Sequence, residues 1–91
     1  MTLKPNYDKA VAVDACRFIS TDYLNYLNKA IRWSGTITRI DEVWNGYRIT
    51  ITSDGCSITT NVRSRHDLSV SNKVSLRGIY NGYGISQARF H

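Results

Sequence analysis

Cationic side chains and aromatic rings interleave through the second half of this 91-residue chain, and that pairing carries the clearest chemistry. Arg39, Arg48, Arg63, Arg65, Lys73 and Arg77 supply guanidinium and ammonium donors of the kind that hold phosphate oxygens. Thr50, Thr59 and Asn61 add hydroxyl and amide groups able to bind phosphate or sugar. Trp44 and Tyr80 stand beside two Asn-Gly dipeptides, in Trp44-Asn45-Gly46-Tyr47 and Tyr80-Asn81-Gly82-Tyr83. Such rings are flat faces on which unpaired bases stack, each worth about 1–3 kcal/mol. The same rings could instead pair across their hairpins, which stabilises a sheet by about 0.2–1 kcal/mol.

Catalytic chemistry is far less legible. His66 and His91 are the only histidines. His66-Asp67 could orient an imidazole, but no nucleophile sits in a recognisable elbow. Neither a Walker A sequence nor GxGxxG occurs. Asp41 and Glu42 are consecutive, so in a strand they point to opposite faces and cannot work as a pair. A zinc site would have to draw on Cys16, Cys56, His66 and His91, whose spacing matches no structural zinc motif. The expectation is therefore no enzyme, no metal and no cofactor. Cys16 and Cys56 lie far apart and outside any CxxC, and read as buried free thiols in a reducing compartment.

The elements that must position these groups fall into two regimes within what reads as a single domain over residues 1–91. Residues 1–31 hold four basic and three acidic side chains, whereas residues 32–91 hold eight and four, so most of the net charge of +5 lies in the second regime. A basic face of this kind attracts polyanions. No apolar run approaches the ~20 residues that span a bilayer, and the start, Met1-Thr2-Leu3-Lys4-Pro5, lacks an apolar signal region. No membrane association and a cytoplasmic location are expected.

A helical segment is predicted over about 8–32. Ser20 or Thr21 can cap a helix whose stripe of Tyr23, Leu24, Leu27, Ala30 and Ile31 recurs at spacings of three and four, as a core-facing surface does. Residues 8–19 carry both a strand-like alternation (Val11, Val13, Ala15) and a helix-like set (Ala12, Cys16, Ile19), with helix favoured. A β region follows over about 33–91. Its first strand runs from Trp33 to Ile40 with a bulge near Gly35, its second from Tyr47 to Thr52, and its third from Cys56 to Val62. A fourth places Val74 and Leu76 inward, and a fifth places Tyr83 and Ile85 inward before shifting phase toward Ala88 and Phe90. Both Asn-Gly pairs predict type I′ hairpins, with their four aromatic rings turned to the barrel and Trp44 and Tyr80 keeping an exposed edge. The fold expected is mainly β with some α: a five-stranded antiparallel barrel of the OB type behind an N-terminal helix.

Three stretches carry a family resemblance over roughly residues 14–90. They are Ala30-Ile31-Arg32-Trp33 closing a helix, then Ser34-Gly35-Thr36-Ile37-Thr38-Arg39-Ile40, then Val74-Ser75-Leu76-Arg77-Gly78. Together they resemble the OB-fold group related to tRNA anticodon-binding domains, in which a helix precedes a G-x-V/I strand and a later strand reads V-x-L-x-G. Asn72 stands where that group often has glycine, and the outward face of the second and third strands has no aromatic. The resemblance implies oligonucleotide binding. The function expected is thus a non-enzymatic module binding single-stranded nucleic acid through a basic polar face. The alternative is a protein-interaction module, such as a small accessory or inhibitor protein from a mobile element, docking through its helix or a strand edge.

Overall fold

The computed structural model describes residues 6–65 and 67–91. Among the described residues, six strands and one short helix carry the architecture: β1 (Val11–Ala12), α1 (Ala15–Ser20), β2 (Ala30–Val43), β3 (Gly46–Ser53), β4 (Cys56–Val62), β5 (Lys73–Tyr80) and β6 (Ile85–Phe90). Strands β2-β3-β4-β6-β5 form a continuous sheet that closes where β5 pairs back onto β2. The protein is a closed five-stranded β-barrel.

The β-branched alternation that predicts β3, β4 and β5 is used as expected. Ile49, Ile51, Ile58, Leu76 and Ile85 are buried in the barrel together with Ile31, Trp33 and Ile37. The long strand β2 makes closure possible. Its first half, Ala30 to Thr36, pairs with β5, and its second half, Thr36 to Val43, pairs with β3. The crossing between partners brings backbones together at Gly35, where a Cβ would lie 2.5 Å from the Thr52 carbonyl oxygen. The bulge predicted at Gly35 lies instead at Thr38, where the β2–β3 register shifts between Ile37 and Arg39.

The barrel is mixed rather than wholly antiparallel. After β4 the connection 63–72 carries the chain across to β2, which β5 joins antiparallel; β6 then returns beside β4 in the same direction. The β4–β6 seam has a single register pair, Thr60 with Ile85, reinforced by the buried Thr60 hydroxyl donating to the Ile85 carbonyl at 2.7 Å. β1 adds a two-residue parallel bridge to Ile31 and Arg32.

The N-terminal helix is much smaller than the predicted 8–32. Residues Tyr7–Lys9 and Asp22–Tyr26 form 3-10 turns, and only Ala15–Ser20 is α-helical. Asp14 caps it, its carboxylate accepting from the Arg17 amide at 3.1 Å. The apolar stripe predicted from Tyr23 to Ile31 is not one helical face: Leu24 is 70% exposed and Leu27 46%, while Ala30 and the buried Ile31 already belong to β2. The plug at this end of the barrel is α1. Its Phe18 is buried with its ring edge-on to Tyr80 (4.9 Å) and Trp33 (6.1 Å) and tilted against Tyr26 (5.8 Å).

The expectation of free thiols is overturned. Cys16 on α1 and Cys56 at the start of β4 form a disulfide, their Cα atoms 5.2 Å apart. The bond fastens the plug to the barrel wall. It also removes the free thiols on which the inference of a reducing compartment rested.

Candidate functional site

Pairing between β3 and β4 sets the outward rows. Arg48 stands opposite Asn61, Thr50 opposite Thr59, and Thr52 opposite Ser57. Alternation places these side chains away from Ile49, Ile51, Ile58 and Thr60, which are buried. On the β2 side Asp41 lies opposite Arg48, and Arg39 lies opposite Thr50. The predicted polar stripe of Arg48, Thr50, Thr59 and Asn61 is thus a single continuous surface.

Two concavities adjoin it. One, of about 280 Å³, is polar, with Arg48, Thr59 and Asn61 on one wall and the β5–β6 loop and early β6 (Tyr83, Ser86, Gln87) on the other. The second, of about 370 Å³, is half aromatic and apolar, half polar: Phe18, Ile19, Tyr23, Ile58, Tyr80 and Tyr83 line it together with the hydroxyl residues Ser20, Ser57 and Thr59. Tyr83 and Thr59 line both. The two concavities therefore adjoin where β4 meets the β5–β6 loop, with Thr59 and Tyr83 common to both.

The β5–β6 loop explains why that ring is presented. Tyr80 pairs with Ile85, so the tip holds four residues, 81–84, not two. The Asn81 side-chain oxygen accepts from the amides of Tyr83 and Gly84, each at 2.9 Å, fixing an Asx-type loop rather than a type I′ turn. Gly84 lets the loop lie against β4, because a Cβ there would run into the Thr59 carbonyl. Tyr83, expected to face the barrel, is 94% exposed. The flanking Gly82 and Gly84 are the signal that marks it as a loop residue; strand parity counted back from Ile85 concealed it.

The first Asn-Gly tip is also offset. Val43 pairs with Gly46, so Trp44 and Asn45 form the turn, and Asn45 takes the positive φ of 66°. Tyr47 accordingly stands opposite Glu42 rather than Trp44. Trp44 is 94% exposed. This tip abuts the end of β4, where Gly46 approaches Val62 and Arg63.

The remaining predicted residues are dispersed. Arg63 and Arg65 are exposed just beyond β4, with the Arg65 guanidinium 5.8 Å from the centre of the Tyr47 ring. Arg39 is partly neutralised by Asp41, Nε to Oδ1 at 2.9 Å. Lys73 pairs with Thr36 on the β2–β5 side, and Arg77 lies on β5, half-buried, donating to the Tyr7 carbonyl at 2.9 Å. Tyr80 is not an exposed stacking face: its ring is 8% exposed against Phe18. Burial, and next to it the Tyr23 hydroxyl, raises the Tyr80 pKa above the ordinary 10.0. His66, considered for acid–base and zinc roles, lies outside the described residues.

Chemically, the arrangement offers hydrogen-bond donors and a guanidinium beside aromatic walls. Two aromatic rings stand almost wholly in solvent at the loop tips, where a ligand can reach them. No protein-family model matches this chain, and neither a curated protein nor a solved structure matches it.

Proposed function

We propose that this protein is a non-enzymatic barrel module of the OB type that binds single-stranded nucleic acid across β3, β4 and the β5–β6 loop. The observation that carries the reading is the shared wall of the two concavities. A polar, basic hollow at Arg48 and Asn61 adjoins a partly aromatic one, with Tyr83 common to both. A nucleotide has the same two halves: an anionic sugar-phosphate and a flat base. The strand order β2-β3-β4-β6-β5 supports the OB part of the reading. In OB barrels the face of the second and third strands, framed by the loops after the first and fourth, is the usual oligonucleotide surface. Here those loops carry Trp44 and Tyr83.

Fluorescence anisotropy with labelled single-stranded DNA and RNA tests this. Binding that weakens steeply with salt is expected, together with quenching of Trp44; Trp33, 1% exposed, serves as the buried reference. Trp44→Ala and Tyr83→Ala should each weaken binding by about 5- to 150-fold, the equivalent of 1–3 kcal/mol of stacking per base. Neither substitution should alter thermal stability, because both rings are 94% exposed. No binding at about 10⁻⁴ M protein in low salt, the weak end of non-specific affinity, overturns the proposal.

A second reading rests on Ile19, Leu24 and Leu27, which are 41%, 70% and 46% exposed. Apolar side chains exposed in this way suit a protein partner. Leu24→Ser separates the two readings: it should abolish a stoichiometric protein complex while leaving oligonucleotide affinity unchanged.

A further inference from the structure

Three arginines lie side by side on adjacent strands of the β2–β5–β6 wall. In register, Arg32 stands opposite Arg77, and Arg77 opposite Arg89. Ile31, Trp33, Leu76 and Gly78, which flank Arg32 and Arg77, are buried, so alternation turns those two side chains away from the core, onto the surface where Arg89 is exposed. Like charges directly opposite one another destabilise a sheet. Among the described residues, none of the three has a carboxylate within 4.0 Å, and both ion pairs present involve other arginines.

The row is bracketed instead by Tyr7. Its carbonyl accepts from Arg77 Nη1 at 2.9 Å, and its ring lies 4.6 Å beneath the Arg89 guanidinium. The Tyr7 hydroxyl donates to the Gln87 carbonyl at 2.6 Å. Arg77 Nε is buried without a hydrogen-bond partner. Arg77 is thus covered by the Tyr7 backbone, leaving Arg32 and Arg89 at the two ends of the row.

The row is continuous with the polar concavity. Gln87 lines that concavity, and Arg89 follows two residues later on the same strand, about 7 Å further along. Gln87 has a φ of 53°, and the β5–β6 register shifts beside it, a bulge that re-aims the strand as it leaves the groove. From Arg89 to Arg32 the row spans two strand spacings, about 10 Å.

We propose that Arg32 and Arg89, on either side of the Tyr7-covered Arg77, form a second phosphate-binding segment, taking the phosphodiester backbone of a single strand that leaves the groove over Gln87. The inference rests on the nucleic-acid reading of the groove. It makes binding depend on ligand length: the groove takes a short oligonucleotide, and the row engages only a longer one.

The test compares oligonucleotides of about 4 and about 12 nucleotides, within the range one OB fold occupies, on the wild type and on Arg32→Gln/Arg89→Gln. The longer strand should lose about 10-fold or more in affinity, and its salt dependence should flatten by about 1.4 log units per log unit of salt, 0.7 for each phosphate contact removed. The shorter strand should be unaffected. Arg32→Lys/Arg89→Lys should keep the salt slope, since a point charge suffices for counterion release. Arg89→Gln alone, at an exposed position, repeats the test with half the change in slope if the double variant is unstable. Equal binding of both strands by wild type and variant overturns this inference and leaves the groove reading standing. Equal loss for both lengths overturns it too, because the row would then belong to the primary site. Failure of the wild type to bind either strand overturns both.

Discussion

At the scale of single residues, this site is governed by which rings are wet and which are dry. Trp44 and Tyr83 are 94% exposed, whereas Tyr80 is 8% exposed and belongs to the core. Strand parity counts a ring inward whenever its pairing partner is inward, and it fails when a tip slides by one residue or lengthens to four. That is why Trp44 was legible as an exposed candidate and Tyr83 was not. Dryness also has a titration consequence for Tyr80. Its folded pKa is raised, by burial first and then by Tyr23, so above pH 10.0 the unfolded chain loses this proton before the folded one does. The contribution is intact below that value and is lost as pH rises through the folded one. Denaturant titrations across the alkaline range should therefore show a decline that Tyr80→Phe reduces. The Phe variant gives up only a long 3.4 Å contact from the hydroxyl to the Gly82 carbonyl. An identical alkaline decline in both proteins would count against this account.

At the scale of elements, β3, β4 and β5 were legible because one face alternates Ile, Leu and Val against Arg, Thr and Asn on the other. The segment 20–32 misled for the converse reason. Tyr23, Leu24 and Leu27 have helical spacing but stand on the surface around a 3-10 turn, so their periodicity reflects exposure rather than a buried stripe. The true plug, Phe18 on α1, lay within the ambiguous residues 8–19, and so did Cys16. Their roles depend on tertiary neighbours that local spacing does not encode. The disulfide closes a sequence separation of 40 residues. In the chain-entropy description a loop of that size stabilises the folded state by roughly 4 kcal/mol, with about 2–4 typical of measured bridges. Cys16→Ser/Cys56→Ser should lower the unfolding free energy by an amount in that range, measured by urea denaturation. Adding reductant to the double variant should then change nothing further.

For the whole molecule, the sequence pattern specified five strands but not how they are ordered. Parallel pairing of β4 with β6 depends on where the 63–72 connection delivers β5, and no alternation records that. Charge is distributed in the same non-local way. Arg48, Arg63 and Arg65 belong to the β3–β4 side, while Lys73 and Arg77 belong to the β2–β5 side, although all five look equivalent along the chain. Arg32 and Arg89, which flank Arg77 across the strands, come from opposite ends of the barrel sequence. A linear reading therefore groups by sequence what closure separates, and separates what closure assembles.

The lone Thr60–Ile85 pairing has an energetic consequence for the barrel. It is the wall's thinnest stitching, and both hollows open beside it. A strand of nucleic acid resting on Thr59 and Tyr83 would lean on both margins at once, acting as an external clasp. Amide hydrogen exchange at Thr60, Asn61 and Ile85 should be faster than at Ile49 and Ile51 in the free protein, then slow on oligonucleotide addition as ligand binding raises the cost of local opening. Unchanged exchange at that margin, with binding established, would mean that the ligand sits elsewhere.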